Sequence, residues 1–218
     1  MRAFRLRRAS VLAFACTLVS ALLTAPLIAT AAAAASVQMR LGAGEEALGR
    51  TDAAITVVEF TDYQCPYCRT FQVSTWPRLK RTYVDTGKVR FVVRDLPLQI
   101  HSAAEPAAEV AHCAAEQGKF WPMHYALLSD ITLDGSSVLG RAKELGLNVS
   151  RLRSCAIENK YEAAIARNAA EAAYLGVTAT PTFIIGRTTH GELTGVRVSG
   201  ALSYPDFAAY LDSLLAGR

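Results

Sequence analysis

Beyond residue 35 the chain has no excess of charge. It carries 23 Lys+Arg against 19 Asp+Glu in 218 residues, and four of the arginines (Arg2, Arg5, Arg7, Arg8) lie in a first segment without a single acid. The remaining 19 basic and 19 acidic residues cancel, which removes the electrostatic case for a nucleic-acid partner that a basic pI would otherwise make. Histidine is sparse: the four residues His101, His112, His124 and His190 are scattered, and no second Cys-x-x-Cys accompanies the one at Cys65–Cys68, so a zinc site lacks its second pair of ligands. A repeat of fixed period is missing, as is a second apolar run of membrane-spanning length after the first. With 51% hydrophobic and 19% charged residues, the chain is too apolar and too weakly charged to be disordered, and it is long enough to bury a core.

The first segment combines a basic start, an apolar run over residues 11–28 and a small-residue tract over residues 30–35. These are the three parts of a secretory signal, expected to be cleaved within residues 31–35. An uncleaved membrane anchor is the alternative, and either one places the remainder outside the cytoplasm, periplasmic or extracytoplasmic. Cys16 leaves with the signal. Four cysteines then remain, Cys65, Cys68, Cys113 and Cys155, and an even number in an oxidising compartment reads as disulfides. Four cysteines allow three connectivities; the short spacing of Cys65 and Cys68 favours the one that leaves Cys113 with Cys155.

Residues 36–53 show little pattern and read as a short arm. Residues 55–60 are a β-branched run, hence a buried strand. Residues 65–84 place Phe71, Trp76, Leu79 and Tyr83 at helical spacing, with a kink expected at Pro77 and an end at Gly87. Residues 89–94 are a second strand, so that residues 54–100 form a βαβ unit with a parallel pair. Residues 101–176 are rich in alanine and read as helices over 103–117, 120–129, 136–145 and 151–175. Phe120, Trp121, Met123, Tyr125, Leu127 and Leu128 read as packing between these helices. Asn148-Val149-Ser150 matches a glycosylation triplet, a common pattern. Residues 177–218 return to strands at 181–185 and 196–199 and a helix at 203–215, a ββα half.

The chemistry concentrates where the first strand meets the first helix. A thiolate at Cys65 would face the unpaired N–H groups and partial positive charge of a helix start, lowering its pKa from about 8.5. Pro66 suits the first helical turn, where no N–H is needed. Cys68 follows one turn later, within disulfide reach. The expected division is an exposed, nucleophilic first sulfur and a sheltered second one that resolves mixed disulfides. Tyr67 between them tunes the redox poise. An inert structural disulfide is the bland alternative.

The run Val57-Val58-Glu59-Phe60-Thr61-Asp62-Tyr63-Gln64-Cys65-Pro66-Tyr67-Cys68, with Thr180-Pro181-Thr182-Phe183 far downstream, resembles the thioredoxin superfamily, and more narrowly its DsbA-like exported thiol:disulfide oxidoreductases. The resemblance covers about residues 54–215. It implies an α/β chain, a thioredoxin fold with an inserted helical domain, and no cofactor. It also implies that Pro181 is a cis-proline facing the cysteines, leaving the Thr180 backbone to pair with an extended substrate. Pro66 and Tyr67 would share that substrate surface. Glu59, six residues before Cys65, stands where the family has a buried acid beneath the second cysteine, with a raised pKa suited to moving the proton of Cys68. The alternative for Glu59 is a strand end facing water. The lysine that some members pair with this acid cannot be placed; Val93 and Arg94 occupy the neighbourhood.

A Cys113–Cys155 bridge would tie one helix start to another within the insert; by the loop-entropy model it contributes about 3–4 kcal/mol. The sharper reading is a second redox pair. The function implied is dithiol oxidation of unfolded or cysteine-containing exported proteins, with a membrane or soluble partner recycling the pair. A lowered Cys65 pKa stabilises the reduced form and so makes the disulfide the stronger oxidant. A reductase, an isomerase and a peptide-binding chaperone module with an inert disulfide are the competing readings. Residues 36–53 are too few for the dimerisation domain of an isomerase, so a monomer is expected.

Overall fold

The computed structural model describes residues 36–42, 44–130 and 132–217. The signal or anchor expected over residues 1–35 lies outside them. Among the described residues six strands, β1 (Ser36–Arg40), β2 (Ala47–Leu48), β3 (Ile55–Thr61), β4 (Val89–Asp95), β5 (Thr182–Thr189) and β6 (Glu192–Ser199), form one mixed sheet in the order β1-β6-β5-β3-β4-β2. At its centre lies β3 (Ile55–Thr61), buried along its whole length, as its apolar and β-branched residues favour, with Glu59 carried into the core among them. It runs parallel to β4 (Val89–Asp95), with Glu59 opposite Val93 and Thr61 opposite Asp95. On its other side it is antiparallel to β5 (Thr182–Thr189), which continues through the turn at His190–Gly191 into β6 (Glu192–Ser199). Gly186 and Gly195 face each other across β5 and β6. A Cβ on Gly186 would lie 2.0 Å from the Thr194 carbonyl oxygen, so only glycine permits this approach.

Residues 36–53 are not a patternless arm. β1 (Ser36–Arg40) pairs with β6 and closes one edge of the sheet, and β2 (Ala47–Leu48) pairs with β4 at the other. The signal for β1 was a weak period of two, Val37 and Met39 inward between polar neighbours.

Alternate residues of the strands feed two cores. Val57, Phe91, Phe183 and Ile185 face the helices that carry and flank the cysteines. Val58, Phe60, Val92 and Ile184 face Ala172 and Leu175 on the opposite side. The helical stretch after β3 comprises α1 (Pro66–Thr70), a π-helical turn (Phe71–Thr75), α2 (Trp76–Leu79) and a second π-helical turn (Lys80–Val84). Pro77 has no N–H to give the preceding turn, and the chain absorbs this by widening: the Trp76 N–H bonds the Phe71 carbonyl five residues back.

The insert consists of α3 (Ala104–Ala115), α4 (Phe120–Ser129), α5 (Gly135–Glu144), α6 (Val149–Ile157) and α7 (Glu162–Tyr174). The single helix expected over residues 151–175 is therefore two. Asn159 takes a left-handed conformation (φ 48°), which ends α6 and lets the Tyr161 N–H bond Glu109 Oε1 at 2.7 Å. Asn148 caps α6, its side chain accepting the Arg151 N–H at 2.9 Å. Within α4, Phe120, Met123, Leu127 and Leu128 are buried, while the rings of Trp121 and Tyr125 pack on Trp76. The last element, α8 (Tyr204–Leu215), is capped by Ser203 and buries Phe207 and Leu211 against the sheet.

Candidate functional site

Cys65 ends the loop from β3 and begins α1, with Pro66 in the first helical turn. Its sulfur lies 3.2 Å from the Thr180 carbonyl oxygen, 115 residues away in sequence. Thr180–Pro181 is a cis peptide bond, and this loop covers the sulfur. Cys65 is consequently only 4% exposed, a correction to the exposed sulfur expected from its position. Cys68 is fully buried, and Tyr67 between the two is 65% exposed beside them.

The two thiols are pushed in opposite directions. The hydrogen bond from the Cys68 thiol, followed by the Thr180 side-chain hydroxyl and the N–H groups of Cys68 and Tyr67, draws the Cys65 thiol down to about 5, although burial opposes it. Burial, the hydrogen bond to Cys65 and the nearby Glu59 carboxyl push Cys68 up. Glu59 is 1% exposed, and burial raises its carboxyl to about 8, the Thr61 hydroxyl opposing. Its register partners are Val93 on β4 and Phe183 on β5. Arg94 is engaged elsewhere, by Glu45, Glu171 and the Arg40 carbonyl. Among the described residues, no cation is paired with Glu59.

Several residues that support the cysteine loop were not singled out in the sequence. Asp62 is buried, and its carboxylate accepts the N–H groups of Gln64 (2.7 Å), Cys65 (3.1 Å) and Leu98 (2.8 Å) and pairs with His101 Nδ1 at 2.8 Å. An Asp two and three residues before the amides it caps is a turn signal, and it was there to be read in Asp62-Tyr63-Gln64-Cys65. The Tyr63 hydroxyl meets His124 Nδ1 at 3.0 Å, and burial pushes His124 down to about 3, so the neutral ring accepts. Arg69 bonds the Asp130 carbonyl. The Tyr63 and Arg69 contacts fasten the cysteine segment to the insert, and no local sequence pattern foretells contacts between residues 61 apart.

Cys113 and Cys155 are joined by a disulfide, S–S 2.00 Å, Cα–Cα 5.9 Å. Both lie near the C-terminal ends of α3 and α6, not at helix starts as expected. Glu109 Oε1 is 3.9 Å from the Cys113 sulfur and Glu116 Oε1 3.8 Å from the Cys155 sulfur. Glu109, Cys113 and Cys155 are the one group with metal-ligand spacing among the described residues, and the sulfurs there are bonded to each other.

A family model described as thioredoxin matches residues 43–212. The Na(+)/H(+) antiporter NhaA 3 of Salinispora tropica is 38% identical over 157 residues, 71% of this chain and 24% of that protein. The probable disulfide bond formation protein D of Bacillus anthracis is 41% identical over 78 residues, 35% of this chain and 36% of its own. The chain thus spans about a quarter and just over a third of these two relatives' length. The crystal structure of Wolbachia pipientis α-DsbA1 superposes with a TM-score of 0.72 at 24% identity, over 82% of this chain and 94% of that one. The chain belongs to the thioredoxin family, in the DsbA-like form whose fold is split by a helical insert.

Proposed function

We propose that the chain is an exported thiol:disulfide oxidoreductase that works as a dithiol oxidase through Cys65 and Cys68. The observation that carries this reading is the opposed poise of the two thiols, Cys65 drawn down to about 5 and Cys68 pushed up. The reduced pair is then held as a Cys65 thiolate beside a Cys68 thiol. Whatever stabilises the reduced pair makes the disulfide more oxidising, by about 30 mV for each 1.4 kcal/mol.

The reaction runs in two displacements. A substrate thiolate attacks the Cys65 sulfur; the Cys65–Cys68 bond breaks, and Cys68 leaves with the electron pair and takes the proton of Glu59. At neutral pH a carboxyl near 8 holds that proton ready. A second substrate thiol, deprotonated, attacks the substrate sulfur of the mixed disulfide. A substrate disulfide forms, and Cys65 departs as the stabilised thiolate. Pro66, Tyr67, Thr180 and Pro181 surround the entry to Cys65 and are the surface offered to an extended cysteine-containing chain. A membrane or soluble partner reoxidises the pair.

Export is supported by the basic and apolar start of the sequence and by the Cys113–Cys155 disulfide. No helix among the described residues is long and apolar enough to cross a membrane. Oxidation of a dithiol peptide by the mature, oxidised protein tests the activity. It should proceed at neutral pH and disappear in Cys65→Ser; a peptide left reduced by the oxidised wild type would overturn the proposal.

A further inference from the structure

On the face of the sheet that carries the cysteine helix, three buried oxygens lie beyond direct hydrogen-bond distance of any partner among the described residues: Glu59 Oε1, Thr61 Oγ1 and Asp95 Oδ1. They are neighbours. Glu59 and Thr61 are two apart on β3 and share a face, and Thr61 stands directly opposite Asp95 on β4. Strands lie about 4.8 Å apart, a span that one water joins with two hydrogen bonds, and buried polar atoms are almost always satisfied by protein or by ordered water.

The other oxygen of Asp95 leads outward. Asp95 Oδ2 accepts from His112 Nε2 at 2.7 Å and from the Asn168 side chain at 3.1 Å. His112, on α3, carries the Tyr161 ring stacked on one side. With Glu46 it lines a cavity of about 940 Å³ beside Val93 and Arg94 of β4. The charged groups facing these two side chains are known. Around His112 they are Asp95, Glu46 and Glu109. Asp95 in turn faces Tyr63 and, on α4, the neutral His124. Burial alone would lower His112, but the hydrogen bond and charge of Asp95, with Glu46 and Glu109, hold it above its ordinary value. Burial likewise raises Glu46, against the His112 charge. Both groups are raised from their ordinary values, and the contact between His112 and Asp95 places the imidazole between the buried acid and the cavity.

We propose that Asp95 and His112 are the proton route of Glu59, joining it through Thr61 and bridging water to the cavity beside Val93 and Arg94 of β4. The inference rests on reading Cys65–Cys68 as a redox pair. When substrate cleaves the disulfide, Cys68 takes the S–S electron pair and the Glu59 proton. One proton then passes from solvent through His112 and Asp95 to restore Glu59, and no further electrons move. This gives a buried acid without a paired lysine a way to exchange its proton while substrate covers the other face.

The test is the single-turnover reduction of the oxidised protein by a dithiol peptide, in wild type, His112→Ala and His112→Gln. The glutamine side chain keeps a donor toward Asp95 but cannot carry a proton, so that variant separates relay from packing. Both variants should be slower by at least about tenfold at pH 7, with a larger solvent deuterium isotope effect and an unchanged Cys65–Cys68 reduction potential. Added imidazole should restore the rate of His112→Ala by entering the vacated space. Wild-type rates in both variants overturn the relay, as does a slowed His112→Ala that imidazole leaves unchanged while His112→Gln is normal. A wild type that fails to oxidise the peptide at all refutes the oxidase reading, and the relay with it.

Discussion

Glu59→Gln should make the folded protein more stable at pH 7 and hardly affect it at pH 4. A carboxyl raised from 4.5 to about 8 by burial stays protonated in the fold while the unfolded chain ionises. The unfolded state therefore binds fewer protons between those two values, and stability falls as pH rises through that window, levelling above pH 8. Integrating from 4.5 to 7 gives a penalty of about 3 kcal/mol at pH 7, rising to about 5 kcal/mol once the folded carboxyl ionises. Gln is a near isostere of the protonated acid and carries no such penalty. Urea unfolding of the reduced protein from pH 4 to pH 9 measures the difference, with the Cys65 contribution common to both proteins. Parallel stability profiles for wild type and Glu59→Gln would refute the buried, protonated Glu59. The same variant should slow peptide oxidation, so that the acid serves function while lowering stability.

Three further outcomes are expected. Replacing both Cys113 and Cys155 by Ala removes a bridge between residues 42 apart and should lower stability by about 4 kcal/mol, seen as a lower urea midpoint; equal stability would mean that the unfolded chain is already restricted. Asp62→Ala leaves the Gln64, Cys65 and Leu98 amides and His101 without their shared acceptor. It should cost about 3 kcal/mol and speed hydrogen exchange at Leu98, and an unchanged Leu98 amide would remove Asp62 from its place beneath the loop. Tyr63→Phe strands His124 Nδ1 in the core and should cost about 1–3 kcal/mol by denaturant unfolding; a neutral effect would show that His124 finds another donor.

What the sequence revealed and what it hid follow from the range of the interactions. The β-branched run at Ile55 and the apolar spacing after Cys65 are local signals, and they marked β3 and the cysteine helix. Thr180-Pro181 was legible through the family resemblance. The break at Asn159 was missed because helical spacing of apolar residues continues on both sides, and what ends α6 is the seat that Glu109 offers to Tyr161, 52 residues away. β1 was missed because five residues with one buried side chain make a faint pattern. The burial of Cys65 was misjudged for the same reason: its cover comes from Thr180, which no property of the Cys-Pro-Tyr-Cys run encodes. His112 figured only among four scattered histidines, and its partner Asp95 comes from a strand 17 residues earlier.

The most direct test of the oxidase reading is the reduction potential of the Cys65–Cys68 pair against glutathione, measured on the mature protein with Cys113–Cys155 intact. A Cys65 thiolate held near 5 predicts a strongly oxidising pair, toward the extreme of about −120 mV. A potential near about −270 mV, with Cys65 titrating close to about 8.5, would contradict it and identify a reductase.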